Sequence, residues 1–193
     1  RTQVLALAGG VGGAKLALGL SRVLAPEALT IVVNTGDDEL IHGLNISPDL
    51  DTMMYTLAGL ANSETGWGIT GDQFTFMSML GLYGVPTWFN LGDMDLATHI
   101  RRTQLLQQGW TLSEVTQELC TRLGVSHTVV PMTDQTIATT VVTDEGDIPF
   151  QVYFVQRQCE PMAKSIRFIG TDSARPSPGF QSALESASAI VFC

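Results

Sequence analysis

The first third of the chain predicts an α/β fold on a mostly parallel, doubly wound sheet, and three features carry that prediction. An apolar run, Val4–Ala8, enters a glycine-rich loop and is followed by leucines at helical spacing. A second apolar run, Leu29–Val33, completes a β-loop-α-β unit. The chain then turns acidic, with Asn34-Thr-Gly-Asp-Asp38 followed by Asp49-Leu-Asp51. Ligands of such sheets bind at the carboxyl ends of the strands, which is where both loops fall. The expected architecture is therefore Rossmann-like.

Each further element follows from local pattern. In residues 14–24, Leu16, Leu20, Val23 and Leu24 recur at helical spacing, and Pro26 closes that helix. Residues 51–61 read as a helix with Met53, Met54, Leu57 and Leu60 on its apolar side, so Asp49 or Asp51 is placed to cap it. A glycine-rich connection containing Trp67 and Gly68 leads to a helical stretch at 72–83. Another helix is expected at 93–108, after Trp88, Phe89 and the turn Gly92-Asp93. Thr111-Leu-Ser-Glu114 matches a capping box for a helix reaching 123. Together these define a helical insertion of about residues 62–124. Beyond it, Ala138–Thr143 and residues 150–155 flank Asp144-Glu-Gly-Asp147 as a β-hairpin, and residues 166–169 form a short strand. Pro178–Ser186 is helical, and residues 189–193 read as a buried strand. A chain that stops on such a strand, without the loop that should follow it, is expected to be a C-terminally truncated fragment. Residues 1–193 then form a single α/β domain of a longer protein.

Composition narrows the function classes. Hydrophobic residues make up 45% and charged ones 15%, as in a well-buried globular protein. The net charge of −9 argues against nucleic acid, whose phosphates require lysine and arginine. No apolar run is long enough for a bilayer-spanning helix, so no membrane partner is expected. Cys120, Cys159 and Cys193 form neither a zinc pattern nor a disulfide framework, which fits a reducing cytoplasmic setting.

The acidic cluster holds the main chemical signal. Asp37, Asp38, Asp49 and Asp51 crowd like charges that repel, and a divalent cation relieves that repulsion. Hard carboxylate oxygens without thiolates suit Mg2+, so these four aspartates are the candidate metal ligands. The loop Gly9-Gly-Val-Gly-Gly-Ala-Lys15 can present backbone amides to a phosphate at a helix N-terminus, with Gly9, Gly10, Gly12, Gly13 and Lys15 as ligand-binding candidates. It matches neither a Walker A loop nor a dinucleotide fingerprint, and a tight packing turn is the competing reading. His42, between the acidic pairs, reads either as a base or donor or as a structural loop residue. His99 follows Asp95 by one helical turn, with Arg101 and Arg102 nearby, as a surface network or as part of a phosphate clamp. Trp67, Trp88 and Phe89 offer aromatic faces for a flat ligand, or ordinary core packing.

Taken in order, these segments resemble the 2-phospho-L-lactate transferase family of deazaflavin coenzyme F-420 biosynthesis. The resemblance rests on Gly9-Gly-Val-Gly-Gly-Ala-Lys-Leu16, Asn34-Thr-Gly-Asp-Asp38, His42-Gly-Leu44, Pro48-Asp-Leu-Asp-Thr52 and Tyr55. It continues through Gly66-Trp-Gly68, Trp88-Phe89, Leu91-Gly-Asp93, Asp95, His99, Arg102 and Pro131-Met-Thr-Asp134. It implies transfer of a phospholactyl or phosphoenolpyruvyl group from a guanosine-diphosphate-activated donor to the hydroxyl of the deazaflavin FO, with release of GMP. It also implies Mg2+ as cofactor and a homodimer. On this reading Asp37, Asp38 and Asp51 are the catalytic candidates. Asp93, His99, Thr133 and Asp134 join Trp67, Trp88, His42 and the glycine loop in binding the ligands. Two other classes compete: a non-catalytic nucleotide-sugar-binding regulator of the same fold, and a dinucleotide oxidoreductase. The latter wants an acidic residue closing the second strand, where this chain has Asn34.

Overall fold

The computed structural model describes residues 2–193. A four-stranded sheet is built from β1 (Val4–Ala8), β2 (Leu29–Val33), β5 (Thr128–Pro131) and β9 (Ala189–Phe192), in the order β5-β2-β1-β9 with every pairing parallel. β1 and β2 are the central strands and read as near-continuous apolar runs because both of their faces are covered. Ala6, Ile31, Val33, Leu50, Met53 and Leu119 belong to the core formed against them. Among the described residues β9 pairs with β1, and Ile190 and Phe192 are exposed.

Helix α1 (Val11–Val23) begins three residues before the expected start and takes in most of the glycine loop. Gly13 explains why. A Cβ there would lie 3.1 Å from the Ala8 Cβ, so its absence lets the helix pack directly on β1. Helix α2 (Pro48–Leu57) also begins early, with Pro48 in the first turn and Ser47 at the cap position. Asp49 and Asp51 therefore cap nothing. Both sit in the first turn, where the helix dipole favours negative charge. Leu60 falls outside this helix.

Between β2 and α2 lies a small antiparallel hairpin, β3 (Glu39–Ile41) and β4 (Leu44–Ile46), which sequence pattern did not reveal. Its two-residue turn places His42 (φ 52°) and Gly43 (φ 76°) in the left-handed region, the conformation such turns need. Helices α3 (Thr75–Leu82), α4 (Asp93–Gln107) and α5 (Leu112–Arg122) follow, the last with the expected Thr111–Glu114 capping box. No described helix is long and apolar enough to cross a membrane.

A second antiparallel sheet, ordered β7-β6-β8, comprises β6 (Ala138–Thr143), β7 (Gly146–Pro149) and β8 (Ala163–Ile169). The hairpin partner is β7 rather than residues 150–155. Thr143 pairs with Gly146, so the turn is only two residues long and the return strand is finished at Pro149. The expected strand is instead helical, passing into a π-turn over Val152–Gln156. Helix α6 (Pro178–Ser186) is capped by the Ser177 hydroxyl, which accepts from Phe180 N at 3.3 Å.

The close approach of α1 to β1 is testable. Gly13→Val should lower stability by about 1–3 kcal/mol through overpacking, read as a fall in the denaturant midpoint, whereas an unchanged midpoint would show that Ala8 can yield.

Candidate functional site

The carboxyl ends of β1 and β2, the start of α2, and the segments after α2 and β7 enclose a cleft of about 380 Å³. One end carries Gly10, Asp37, Asp49 and Asp51; the other carries Trp67, Trp88, Phe89, Phe150 and Phe154. Trp88 and Phe89 meet edge to face at 5.7 Å, and Phe150 and Phe154 stack at 5.6 Å. The cleft thus joins an anionic end to an aromatic one.

Folding divides the four aspartates into two pairs. Asp37 and Asp49 each accept from the same Asn34 amide nitrogen, both at 3.0 Å. Asn34 is itself oriented by its Oδ1, which accepts from Gly36 N at 3.0 Å. Burial raises the Asp37 carboxyl above the usual range, with hydrogen bonds from Thr139 and Asn34 opposing it. Burial raises Asp49 as well, and the nearby charge of Asp37 adds to that rise. Neither has an arginine, lysine or histidine within ion-pair distance among the described residues. Gly10 lies against this pair: a Cβ there would come within 2.9 Å of Asp49 Oδ1.

Asp38 and Asp51 turn elsewhere. Asp38 accepts from the Ser47 hydroxyl at 2.6 Å, and burial pushes its pKa up to about 8. It lines a second cavity behind the acidic loop rather than the cleft. Asp51 still faces the cleft, but the fully buried Arg102 holds both of its oxygens. Arg102 also donates to the Asn45 carbonyl at 3.2 Å. Burial opposes its charge, and Asp51 outweighs that opposition and raises its pKa.

From Asp51 a buried chain of polar groups runs along the cleft floor. His99 Nδ1 is 3.5 Å from Asp51 Oδ2, and His99 Nε2 is 3.1 Å from Asp95 Oδ2 without the alignment of a hydrogen bond. Tyr55 donates its hydroxyl to Asp95 Oδ1 at 2.6 Å. Burial opposes ionisation of Asp95, yet His99, Tyr55 and Arg102 hold its carboxyl below the usual range. Burial, with the charges of Asp51 and Asp95, raises the Tyr55 phenol. Asp51, Asp95 and His99 bring one potential metal ligand each within 4.8 Å of one another. The guanidinium on Asp51 would repel a dication there, whereas Asp37 and Asp49 carry no such neighbour.

The remaining predicted residues scatter. Gly9 lies beside Asp49, with a virtual Cβ 3.6 Å from its Oδ2. Gly12 and Lys15 are exposed on α1 outside the cleft lining, and Gly13 serves packing. His42 occupies the hairpin turn and borders a separate shallow cavity that Trp88 also lines. Asp93 accepts from the Thr75 and Phe76 amides at 3.2 and 3.0 Å, so it satisfies the start of α3. Thr133 is buried and bonded to Gln135, and Asp134 accepts from Ser113 N at 2.7 Å at the start of α5. His99 and Arg102 belong to the interior of the site, while Arg101 lies outside it, 4.0 Å from Glu118.

Sequence reasoning left three groups out of the site. Asn34 was read as the end of a strand, although an amide two and three residues before Gly36 and Asp37 is suited to bridging back to them. Asp95 and Arg102 stand out in the sequence through their helical spacing to His99 and through the family resemblance, but neither signal shows that they are buried beneath the cleft. Phe150, Phe154 and Gln151, whose Nε2 donates to the Asp37 carbonyl at 3.0 Å, carried no signal because their segment reads as a strand.

A cleft at the strand carboxyl ends of a doubly wound sheet, with a glycine loop facing carboxylates, defines a ligand-binding α/β protein of Rossmann-like class. The sequence signature of the family described as 2-phospho-L-lactate transferase CofD matches residues 4–193, and the chain belongs to that family. It is 44% identical over 195 residues to a phosphoenolpyruvate transferase of Streptomyces griseus, covering 98% of this chain and 61% of that protein. It is 42% identical over 203 residues to a protein of the same name from Thermobifida fusca, covering 98% of this chain and 63% of that one. The chain thus spans a little over three fifths of the length of these curated relatives. A crystal structure of a UPF0052-family protein from Bacillus halodurans has the same fold, with a TM-score of 0.62 at 16% identity over 98% of this chain and 58% of that one.

Two predictions follow from the electrostatics. Arg102→Met should cost about 3–5 kcal/mol by leaving Asp51 buried without its partner, and Arg102→Lys should restore part of it in thermal melts. The raised Asp38 means that the folded protein binds a proton more tightly than the unfolded chain. In the absence of divalent cations, stability should therefore fall as pH rises from about 4 to about 8. Asp38→Asn should flatten that slope in denaturant titrations at several pH values; an unchanged slope would remove Asp38 from the account.

Proposed function

We propose that the protein is a Mg2+-dependent transferase of deazaflavin coenzyme F-420 biosynthesis. In this reading a phosphoenolpyruvyl or 2-phospholactyl group passes from a guanosine-diphosphate-activated donor to the primary hydroxyl of FO, and GMP is released. The single observation that carries the reading is the pair of carboxylates, Asp37 and Asp49, held on one Asn34 amide beside Gly10 and at the mouth of an aromatic cleft. Two neighbouring carboxylates without a cationic side chain fit a hard divalent ion, and burial raises the proton affinity of both. The names of the Streptomyces griseus and Thermobifida fusca relatives favour phosphoenolpyruvate over phospholactate.

Bound Mg2+ would neutralise the diphosphate and stabilise charge on the departing phosphate. The protein's own share is positioning and electrostatics, since phosphoryl transfer asks little covalent work of side chains. Asn34 holds one oxygen of each carboxylate, Asp37 Oδ2 and Asp49 Oδ2, side by side. The missing side chain at Gly10 lets the Asp49 carboxylate lie directly against the glycine loop, beside the N-terminal end of α1 where the dipole favours anions. Arg102 prevents Asp51 from swinging toward the metal-binding pair. Trp67, Trp88, Phe89, Phe150 and Phe154 form apolar walls that suit a flat conjugated ring and exclude water from the reacting oxygen. The unpaired cysteines, Cys120, Cys159 and Cys193, are consistent with a reducing cytoplasm.

Asp37→Asn and Asp49→Asn should each cut turnover by at least about 100-fold, with melting temperature maintained. The assay contains FO, the guanosine-diphosphate-activated donor and Mg2+. Asp51→Asn should lose activity together with stability, because it strands Arg102. Near-normal turnover in both Asp37→Asn and Asp49→Asn would sink the metal assignment.

A further inference from the structure

Behind the acidic loop lies a second cavity of about 180 Å³, bounded by the β3–β4 hairpin, α4 and the segment following β5. Asp38, Glu39 and Asp134 line it, and no lysine, arginine or histidine does. Thr35 lines it as well; the residue is 3% exposed, and its Oγ1 has no hydrogen-bond partner. Asp38 Oδ1 is likewise buried without a partner. So is the Oγ of Ser113, whose backbone N–H donates to Asp134 Oδ1. Of the four such side-chain atoms among the described residues, two belong to residues that line this cavity, and a third belongs to Ser113, next in sequence to the lining residue Leu112. A buried polar group left unmet costs about 1–3 kcal/mol, so their concentration at one cavity points to a bound partner.

The chemistry of the walls narrows that partner. Carboxyl and hydroxyl oxygens call for a hydrogen-bond donor. Glu39 and Asp134, with no basic side chain on the same walls, favour one that carries positive charge. The Arg102 charge reaches Asp38 but does not line the cavity. A bare metal ion fits poorly. The only described group of three metal-ligating side chains that converges is Asp51, Asp95 and His99, so Asp38, Glu39 and Asp134 do not close on one point. Leu106, Leu112 and Ile137 supply an apolar wall that an ion would leave uncovered.

We propose that this cavity binds a small organic ammonium ion, its N–H groups directed at Asp38 Oδ1 and Thr35 Oγ1 and its short alkyl body against Leu106, Leu112 and Ile137. Ile46 borders both this cavity and the main cleft, and Asp38 is the neighbour of Asp37, so an occupant would lie next to the candidate metal pair. The proposal stands on the cavity alone and does not depend on the transfer reaction.

The test is a titration of methyl-labelled protein with n-butylammonium chloride, with potassium chloride at equal ionic strength as control. Saturable shifts of the Leu106, Leu112 and Ile137 methyl resonances are expected with the amine and not with potassium. Thr35→Val should weaken binding by about tenfold, and Glu39→Gln should weaken it as well while leaving the hydroxyl in place. The proposal is overturned if there is no saturable response, which would leave a water-filled cavity. It is equally overturned if potassium gives the same shifts, or if both variants bind as the parent does.

Discussion

The buried pair between Arg102 and Asp51 is the constraint around which the site is arranged. Asp51 comes from the first turn of α2, Arg102 from the middle of α4, and Asn45, which also accepts from Arg102, from the β3–β4 hairpin. Three segments far apart in the chain are thus tied at one guanidinium. Such a pair contributes little net stability over an apolar replacement, but losing one partner is expensive. Its value here lies in arrangement. By occupying Asp51, Arg102 leaves Asp37 and Asp49 as the carboxylates of the main cleft whose charge no cationic side chain meets.

That division gives the cleft its two characters. On the floor, Asp51, His99, Asp95 and Tyr55 form a nearly dry chain in which each carboxylate has a donor or cation beside it. At the mouth, Asp37 and Asp49 share a neutral amide, with Thr139 as a further neutral donor to Asp37. A low-dielectric setting makes the difference large, since unbalanced charge is costly there and compensated charge is not. The aromatic walls sharpen the contrast by limiting water at the other end. Gln151 links the two regions, because its amide holds the Asp37 backbone while its neighbours Phe150 and Phe154 form part of the wall.

Much of the fold was legible because it depends on local pattern. Val4–Ala8 and Leu29–Val33 are apolar throughout, as central parallel strands must be, and the Thr111–Glu114 capping box marked a helix start correctly. The hairpin was not legible in the same way. Residues 150–155 have strand composition, yet a two-residue turn at Asp144 and Glu145 uses up the pairing register by Pro149, and the next residues wind into a helical turn. That was decided by a partner strand that local pattern does not contain.

The candidate site divides along the same line. By itself the sequence determined that a glycine loop and an acidic loop meet at the carboxyl ends of adjacent strands, because strand, loop and helix order follow from hydrophobic period. It also determined the family, through motifs spread along nearly the whole chain. Only the tertiary structure decided which aspartates face the cleft together. Asp37 and Asp38 are adjacent in sequence and were interchangeable as candidates, but successive residues of a turn point in different directions. One reaches Asn34 and the cleft; the other reaches Ser47 and a separate cavity. Charge partners such as Arg102 come from distant segments, and the electrostatics of a carboxylate belong to whatever the fold sets beside it.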